Sequence, residues 1–481
     1  MAMAIEYETV VGLEIHAELS TKTKTFCGCR NEAGREPNTN VCPICLGFPG
    51  TLPMLNKQVV EYAIKMGHAT NCTINGVTKQ DRKHYFYPDL GKAYQISQLD
   101  IPLCAHGYLD ILVGDEIRRI GINRIHVEED AGKLVHDETY GGTLVDNNRS
   151  GVPLIEIVSE PDLRSADEAK AYLETIRKIL LYLGISDAKM EEGRMRCDVN
   201  VSVRPKGSDK LGTRIEMKNV SSLSAAHRAI NYEVRRQIDA LTHGEKLEQS
   251  TRRWDDVKGR SYLMRSKENA QDYRYFPDPD MLTYIIPQEK IDAIKTTIPE
   301  LPVAKTLRYM NDYALSRSDA ELLARDRYLS EFFDDCLARG NVSAKGVANW
   351  LLGDISRVLN DRHCGIQNLM LRPERLAKMV ELIENKKISS AAGKTILEVI
   401  IDEDRDPEEI VKEKGLAQVS DTGALQAIVD KVIAANDKAV SDFRSGKTNA
   451  VGFLVGQCMK ESRGQGNPAV LREMIIATIT K

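Results

Sequence analysis

In the first 290 or so residues, apolar and polar positions alternate over short runs, which is the pattern typical of β-strands. These runs are rich in β-branched residues and are bounded by Gly, Asp or Asn. The predicted strands are residues 9–15, 107–113, 116–125, 154–158, 199–203 and 213–217. Two longer segments, 166–183 and 223–243, carry apolar residues three and four apart and are predicted helices. The pattern therefore predicts an α+β domain around a large, mostly antiparallel sheet.

The helix at 166–183 has explicit start and stop signals. Ser165 is a predicted N-cap, and Glu168 three residues later completes the sequence of a capping box. Gly184 supplies a residue that tolerates the left-handed conformation in which many helices end. These local signals fix both boundaries of this helix from the sequence.

The pattern changes at the proline-punctuated stretch 298–302, after which helical spacing dominates. The predicted helices are residues 318–326, 329–340, 344–360, 373–385 and 389–402. Asp404 to Pro407 interrupt this series, and a last helical segment follows. We therefore predict three domains: an N-terminal domain over 1–297, a helical domain over 298–405 and a helical tail domain over 406–481.

Composition limits the classes of protein that the chain can belong to. Its 42% hydrophobic and 28% charged residues are ordinary for a globular protein with real cores. No apolar run is long enough to span a membrane, and the N-terminus lacks the features of a secretory signal, so we predict a cytoplasmic protein with no membrane partner. The net charge of −4 gives no global nucleic-acid footprint, but residues 431–481 hold eight Lys or Arg against four Asp or Glu. That local surplus indicates either contacts to nucleic-acid phosphates or an ordinary solvated helical face.

Four cysteines near the N-terminus form two closely spaced pairs, Cys27 with Cys29 and Cys42 with Cys45. Two such turns can direct four thiolates at one point, which is the tetrahedral geometry of a structural Zn²⁺ site. The alternative is four unrelated thiols in a reducing compartment. The spacing favours zinc. Because the two turns lie between two candidate catalytic stretches, we predict that the zinc braces the structure and lies away from the reacting atoms.

The predicted strand near the N-terminus carries polar residues at every second position. Period 2 places Glu14, His16 and Glu18 on one face. A carboxylate beside an imidazole suits a hard-cation site or an acid–base pair, and a solvated strand face remains the alternative. A second cluster, Glu128, Glu129 and Asp130, reads from its own sequence as either a cation site or a solvated turn.

A third cluster spans residues 196–203 and 214–219. A hairpin between them would place Asp198 and Glu216 beside Lys218, with Asn200 on the same strand as Asp198. Oxygen ligands next to a lysine suit Mg²⁺–nucleotide chemistry. The Gly-Lys-Thr sequences at 393–395 and 446–448 lack the earlier glycine of a phosphate loop, so any ATP site is of another kind.

With these residues assembled, the chain resembles the GatB family, the B subunits of tRNA-dependent amidotransferases, from end to end. The motifs that carry the resemblance are residues 11–16 (VGLEIH), 85–89 (YFYPD), 92–98 (KAYQISQ), 126–133 (HVEEDAGK), 146–158 (DNNRSGVPLIEIV), 272–280 (DYRYFPDPD) and 452–457 (GFLVGQ). The resemblance implies ATP-dependent phosphorylation of the side-chain carboxylate of misacylated Glu-tRNA(Gln) or Asp-tRNA(Asn). Ammonia then displaces phosphate to give the amide.

The resemblance also implies roles for particular residues. The catalytic magnesium site is expected from Glu14, His16, Glu128 or Glu129, Asp198 and Glu216. Contacts to ATP are expected from Arg149, Asn200 and Lys218. An internal ammonia channel is expected to include Lys83, Lys92 and Asp280.

The chain lacks an amidase-type Ser-Ser-Lys signature in a glycine-rich setting, so a separate protein must release ammonia from glutamine. The resemblance supplies a glutaminase, the A subunit, and a small C subunit, which would form the GatCAB heterotrimer with this chain. The competing hypothesis is a zinc-stabilised tRNA-binding adaptor without an active site of its own. The sequence does not distinguish Glu-tRNA(Gln) from Asp-tRNA(Asn) as the substrate.

Overall fold

The computed structural model of the chain describes residues 5–137, 139, 141–266, 273–418, 422–445, 447–462 and 466–480. Asp272 of the 272–280 motif and Gly446 lie outside these residues. The chain forms two compact units, residues 1–304 and 305–481. The predicted domain boundaries at 297/298 and 405/406 stay predictions.

Sixteen strands occur in the described part of the chain. In chain order they are β1 (Tyr7–Glu18), β2 (Thr73–Ile74), β3 (Val77–Thr78), β4 (Asp81–His84), β5 (Tyr94–Ser97), β6 (Cys104–Val113), β7 (Glu116–Glu129), β8 (Lys133–Asp137), β9 (Gly142–Asp146), β10 (Pro153–Ser159), β11 (Met195–Pro205), β12 (Ile215–Val220), β13 (Ser250–Asp255), β14 (Arg260–Ser266), β15 (Phe276–Pro277) and β16 (Tyr284–Ile285). Nine of them form one sheet in the order β14-β13-β12-β11-β1-β10-β7-β6-β2. Within that sheet the β12–β13 pair is parallel and the other described pairs are antiparallel, so the predicted mostly antiparallel α+β sheet is confirmed.

The helices described in this unit are α1 (Lys57–Ala69), α2 (Ala166–Leu183), α3 (Leu223–Thr242) and α4 (Gln288–Lys295). Helix α2 has the predicted boundaries: the Ser165 hydroxyl accepts a hydrogen bond from the Glu168 N–H, and Gly184 ends the helix in the left-handed conformation. The Glu168 carboxylate accepts from the Arg164 N–H, so only half of the predicted capping box forms.

Helix α1 was not predicted, although the sequence contains its N-cap and the helical spacing of its apolar residues. Its N-cap, Asn56, accepts a hydrogen bond from the backbone N–H of Gln58, and its buried residues recur at helical spacing. This helix, with α2 and α3, contributes side chains to the main hydrophobic core, which contains the odd-numbered face of β1. Val11, Leu13 and Ile15 are at most 1% exposed. The even-numbered face of β1 is left for polar residues.

The second unit is helical, as predicted. Its helices are α5 (Pro302–Tyr313), α6 (Arg317–Leu323), α7 (Arg327–Arg339), α8 (Ala344–Trp350), α9 (Ser356–Arg362), α10 (Pro373–Glu384), α11 (Ser390–Ile400), α12 (Pro407–Lys414), α13 (Thr422–Ala435), α14 (Asp437–Arg444), α15 (Asn449–Glu461) and α16 (Pro468–Ile479). The segment predicted as one helix over 344–360 is divided by a wider π turn, Leu351–Ile355, between α8 and α9.

Two separate hydrophobic cores organise these helices. One runs from Tyr309 to Ile410, and the other from Leu425 to Ile479. Among the described helices, none combines the length and the apolar character needed to cross a lipid bilayer.

Candidate active site and cysteine cluster

The polar face of the nine-stranded sheet gathers the predicted oxygen ligands, because residues that lie opposite each other on paired strands share a face. On the β1–β11 pair, Glu14 lies opposite Asp198. On the β11–β12 pair, Asn200 lies opposite Glu216. Period 2 along β12 adds Lys218 to the same face. Three strands that are distant in sequence therefore contribute to one surface.

Three of these residues form what we call the carboxylate cluster: Glu14, Asp198 and Glu216. One oxygen from each lies within 4.8 Å of the others. The Lys218 ammonium lies 2.5 Å from Asp198 Oδ2 and 3.1 Å from Glu216 Oε1. The Asn200 amide donates to Glu14 Oε1 at 3.0 Å. Three carboxylates are a donor set suited to a hard divalent cation, and here they lie beside one ammonium group.

The electrostatics of the carboxylate cluster favour an added cation. Burial raises the pKa of the Glu14 carboxyl, and the charges of Glu156, Asp198 and Glu216 raise it further. Burial lowers the pKa of the Lys218 amine, but the same two neighbours, Asp198 and Glu216, more than offset that effect, so its pKa lies above the usual value. One lysine therefore faces several competing negative charges, and a bound cation would reduce the repulsion among them.

A second group, which we call the histidine cluster, comprises His16, Glu128 and Glu156. On β1, His16 lies two residues after Glu14 and on the same face. One ligand atom from each lies within 4.8 Å of the others. His16 Nε2 is 3.5 Å from Glu128 Oε1 and 3.4 Å from Glu156 Oε2. Strand register explains the meeting, since Glu156 on β10 lies opposite His16 on β1 and opposite His126 on β7.

The carboxylates of the histidine cluster and the neighbouring His126 shift one another's pKa values. Burial lowers the pKa of the His126 imidazole, but Glu156 and Glu128 raise it to about 9. Burial raises the pKa of Glu156, while His126 and His16 hold it well below its usual value. The imidazole nitrogen and two carboxylates form a mixed donor set that can also hold a divalent cation.

The structure separates the two neighbouring glutamates that the sequence left as alternatives. Glu128 joins the histidine cluster, whereas Glu129 turns away and binds the Lys92 ammonium through both carboxylate oxygens, at 2.5 and 2.6 Å. Successive strand residues point to opposite sides, which explains the split. Glu128 and Glu129 are each 2% exposed and Asp130 is 5% exposed, so the interpretation as a solvated turn is wrong.

Glu156 and His126 lie in the motifs 146–158 and 126–133 but were not predicted as site residues. Glu156 was visible as one carboxylate in the otherwise apolar run 154–158, where a buried charge requires a partner. The partner depends on the pairing of β10 with β1 and β7, which no local signal specifies. Thr251 was missed for the same reason; its hydroxyl donates to Glu216 Oε2 at 2.7 Å from the neighbouring strand β13.

The remaining predicted site residues lie in three places. Lys92 and Asp280 line one pocket together with Glu129. The Lys83 ammonium lies over the rings of Tyr273 and Tyr85, 5.1 and 5.8 Å from their centroids.

The Arg149 guanidinium donates to the carbonyl oxygens of Ala131 and Gly132, at 3.0 and 2.9 Å, and lies 3.6 Å from Asp130. Among the described residues, no hydrogen bond or ion pair joins Arg149 to Lys218 or Asn200, the other predicted nucleotide contacts.

The four cysteines form a compact group with every sulfur within 4.8 Å of the others. A tetrahedral Zn²⁺ with bonds of about 2.3 Å fits such a group after small shifts. The Cys42 N–H donates to the Cys45 sulfur at 3.1 Å. Lys24, which is fully buried, places its ammonium 3.8 Å from the same sulfur and donates to the Asn40 carbonyl at 2.9 Å. These donors suit a site that carries thiolate charge.

The cysteines do not lie apart from the other predicted site residues. Cys27 and Cys45 line the same pocket as Lys92, Glu129 and Asp280. The loop after Cys45 lies on Lys92, so the cysteine cluster adjoins Glu129, which was one of the two alternative metal ligands. That the cysteine site lies away from the reacting atoms stays a prediction.

Comparisons with known proteins identify the family of the chain. Residues 9–292 match the family model of the GatB/GatE catalytic domain, and residues 331–479 match the model of the GatB domain. Similar curated proteins are named as the B subunit of aspartyl/glutamyl-tRNA(Asn/Gln) amidotransferase. The protein from Caldicellulosiruptor saccharolyticus is 52% identical over 99% of this chain and 100% of its own length. Those from Carboxydothermus hydrogenoformans and Clostridium botulinum are each 50% identical, over 99% and 98% of both chains respectively. The chain therefore belongs to the GatB family, the B subunits of aspartyl/glutamyl-tRNA(Asn/Gln) amidotransferases.

Proposed function

We propose that this chain uses ATP to phosphorylate the side-chain carboxylate of misacylated Glu-tRNA(Gln), Asp-tRNA(Asn) or both, and then replaces phosphate with ammonia. The observation that carries the proposal is the pair of adjacent ligand clusters on one sheet face, with the Lys218 ammonium bound to two of the carboxylates. Phosphoryl transfer needs this combination of divalent-cation ligands and a fixed cation, since its transition state concentrates negative charge.

The reaction balances in two steps. An oxygen of the substrate carboxylate forms a bond to the γ-phosphorus of ATP, and the bond to the β–γ bridging oxygen breaks, releasing ADP. Ammonia then attacks the carbonyl carbon of the acyl phosphate, loses a proton, and phosphate leaves with its bonding electron pair. Phosphorylation is needed because a free carboxylate offers ammonia only a very poor leaving group.

The chain's own residues position these reactants. Lys218 supplies positive charge at the edge of the carboxylate cluster, where it would face phosphate oxygens. Asn200 holds Glu14 by hydrogen bonding, and Thr251 holds Glu216. Carboxylates fixed in this way keep their geometry during the reaction, so less reorganisation is required in the transition state.

Both clusters have donor sets that fit Mg²⁺, which would supply Lewis-acid neutralisation of phosphate charge when bound. The carboxylate cluster would hold one ion through Glu14, Asp198 and Glu216. The histidine cluster would hold another through Glu128, Glu156 and His16.

This assignment predicts different metal dependence for neighbouring glutamates. Glu156→Gln should raise the Mg²⁺ concentration needed for half-maximal tRNA-dependent ADP formation by about 10-fold or more, since a ligand is weakened. Glu129→Gln should leave that concentration unchanged, because Glu129 binds Lys92 and lies outside the cluster. A Mg²⁺ titration of both variants measures the difference. A shift in Glu129→Gln with none in Glu156→Gln would reverse the assignment.

Ammonia would arrive through the pocket lined by Lys92, Glu129 and Asp280. We propose that a separate glutaminase, the A subunit, supplies it and that a small C subunit completes the heterotrimer. Lys92 and Glu129 form a nearly buried ion pair, with side chains 12% and 2% exposed. The pair can admit a small neutral molecule only by opening or by exchanging its hydrogen bonds. Lys83 would add a second ammonium along the route.

Within the predicted tail domain, 406–481, we propose that residues 422–480, which have a hydrophobic core of their own, bind the tRNA body through phosphate contacts. Three exposed basic residues of this segment, Lys438, Lys460 and Arg472, lie on separate helices, α14, α15 and α16. Other basic residues already form ion pairs, such as Lys431 with Glu461. The chemistry would therefore belong to the first unit, and tRNA orientation to the tail.

Reversing the charge of these three residues tests the tail assignment. The combined Lys438→Glu, Lys460→Glu and Arg472→Glu variant should raise the Kd for tRNA by about 10-fold or more. It should also reduce the salt slope by about one for each phosphate that the variant no longer binds. Lys412→Glu, on α12 in the other helical core, is the matched control.

Truncation tests the same assignment. A chain ending at residue 418 keeps Ile410 in its core and should show the same weakening. Tail variants that bind tRNA as tightly as the intact protein at equal salt would contradict the proposed role.

The decisive experiment for the proposed function is ADP formation in the reconstituted heterotrimer, with and without misacylated tRNA. Both Glu-tRNA(Gln) and Asp-tRNA(Asn) should be tested, with ammonium chloride as an alternative nitrogen donor. The proposal expects ADP and amide in equal amounts, and both should need the charged tRNA. A zinc-stabilised adaptor without its own active site would bind the tRNA but form no ADP in any variant.

A further inference from the structure

Three glycines lie where the cysteine cluster and the Lys92–Glu129 ion pair pack against each other. Gly47 follows the second cysteine turn with φ of +71°, and a β-carbon on it would lie 2.4 Å from Lys92 Cγ and 2.9 Å from Lys92 Cα. Only hydrogen fits at this contact, so the loop after Cys45 lies directly on the stem of Lys92. The backbone next to Lys92 is equally close: a β-carbon on Gly91 would lie 2.9 Å from the Leu46 carbonyl oxygen.

The other member of the ion pair, Glu129, lies near a glycine that is hydrogen-bonded to the residues before the first cysteine turn. The Gly151 carbonyl accepts hydrogen bonds from the N–H and the hydroxyl of Thr25, at 2.8 and 3.0 Å, two residues before Cys27. A β-carbon on Gly151 would lie 3.8 Å from Glu129 Oε2 and 3.6 Å from the Cys45 β-carbon. Gly151 therefore separates Glu129 from the cysteines by a single backbone layer.

Each half of the cysteine cluster thus supports one partner of the ion pair. The turn with Cys42 and Cys45 packs on Lys92, and the turn with Cys27 is joined through Thr25 and Gly151 to Glu129. We propose that metal binding by the four cysteines positions Lys92 on Glu129, so that the state of the cysteine site controls whether this ion pair is closed. This inference rests on the proposed function for the role of the pair in ammonia passage and for zinc as the metal.

Physical linkage between the two sites makes the coupling reciprocal. If metal binding favours the closed ion pair, then the closed ion pair must favour metal binding by the same factor. Removing Lys92 should therefore loosen the metal even though Lys92 contacts no sulfur. If the cysteine segment only lined the pocket, removing Lys92 would not change metal binding.

The first test measures metal retention and does not depend on catalysis. Purified heterotrimer carrying zinc is mixed with an excess of chromophoric chelator, and zinc release is followed over time. Lys92→Met should release zinc about 10-fold faster than the wild type, in the range typical of residues that support metal ligands. Lys83→Met is the matched control, because Lys83 is a half-buried lysine whose ammonium lies over tyrosine rings. Equal release by Lys92→Met and wild type, or a wild type that retains no zinc, would overturn the inference.

The second test compares amidation that uses glutamine with amidation that uses ammonium. Gly47→Ala places a methyl group against the Lys92 stem, so glutamine-dependent amidation should fall about 10-fold relative to ammonium-dependent amidation. Gly34→Ala is the control for backbone strain: Gly34 has φ of +80° within the cysteine segment, and a β-carbon there meets nothing within 4 Å. An unchanged ratio in a zinc-loaded Gly47→Ala variant counts against the inference. Failure of the wild type to amidate with ammonium would instead refute the proposed function, and the zinc-release test would still decide the coupling.

Discussion

Glu216→Gln should lower tRNA-dependent ADP formation by about 10²–10³-fold while leaving glutamine hydrolysis by the proposed glutaminase subunit largely intact. The substitution keeps the shape of the side chain but removes one negative charge from the carboxylate cluster. It also removes one of the two carboxylates bound by Lys218. Loss of one preorganised electrostatic group at a site of developing charge typically costs this much in rate. Steady-state ADP formation with charged tRNA measures the effect.

The matched control is Glu8→Gln on the same strand, β1. Glu8 lies outside both ligand clusters and pairs with Arg204 at 2.6 Å near the start of the strand. It controls for the loss of a partly exposed carboxylate without touching the site. Wild-type ADP formation by Glu216→Gln would show that phosphoryl transfer, if it occurs, uses other residues.

If the cysteine cluster holds zinc as we propose, Cys45→Ser should remove that zinc and release the cysteine segment from its folded conformation. The described residues between β1 and α1 contain no named strand or helix, and beyond Leu19 none of them is a buried member of the main hydrophobic core. A metal held by the four cysteines would therefore supply free energy of folding that a core would otherwise provide. In zinc-finger peptides that contribution is about 10–16 kcal/mol. Here we expect a smaller fall in the free energy of unfolding, because the sheet and its core persist.

Amide hydrogen exchange with zinc analysis checks this expectation. Protection should drop over residues 20–54, while the amides of β1, which pair with β10 and β11, keep theirs. Cys364→Ser is the control, since this partly exposed cysteine lies outside the cluster. Unchanged zinc content and protection in Cys45→Ser would mean that three cysteines suffice and that the fourth has another role.

The elements that could be predicted from the sequence are those whose signals lie within a few residues. Helix α2 was predicted to the residue, because Ser165 and Gly184 act within one helical turn of its ends. The alternating face of β1 followed from its period of two, so Glu14 and His16 were correctly placed on one side. Helix α1 was not predicted, although Asn56 marks its start and the local signal was present.

The division between the two ligand clusters was not accessible in the same way. Glu156 meets His16 only because β10 pairs with β1 in one register, and a shift by one residue would turn Glu156 to the other face. The same rule decides that Glu128 faces the cluster and Glu129 faces Lys92. Register is set by the packing of the whole sheet, so it cannot be read from either strand alone.

The sequence by itself determined the chemistry available to this protein: oxygen ligands on alternating strand positions, four cysteines in two close pairs, and a helical second unit. The tertiary structure alone decided which of those groups meet. It assembled two ligand clusters from strands far apart in the chain, and it laid the loop after Cys45 on Lys92. The physical reason is that composition and periodicity act within a few residues, whereas strand pairing and glycine-sized contacts join segments that are distant along the chain.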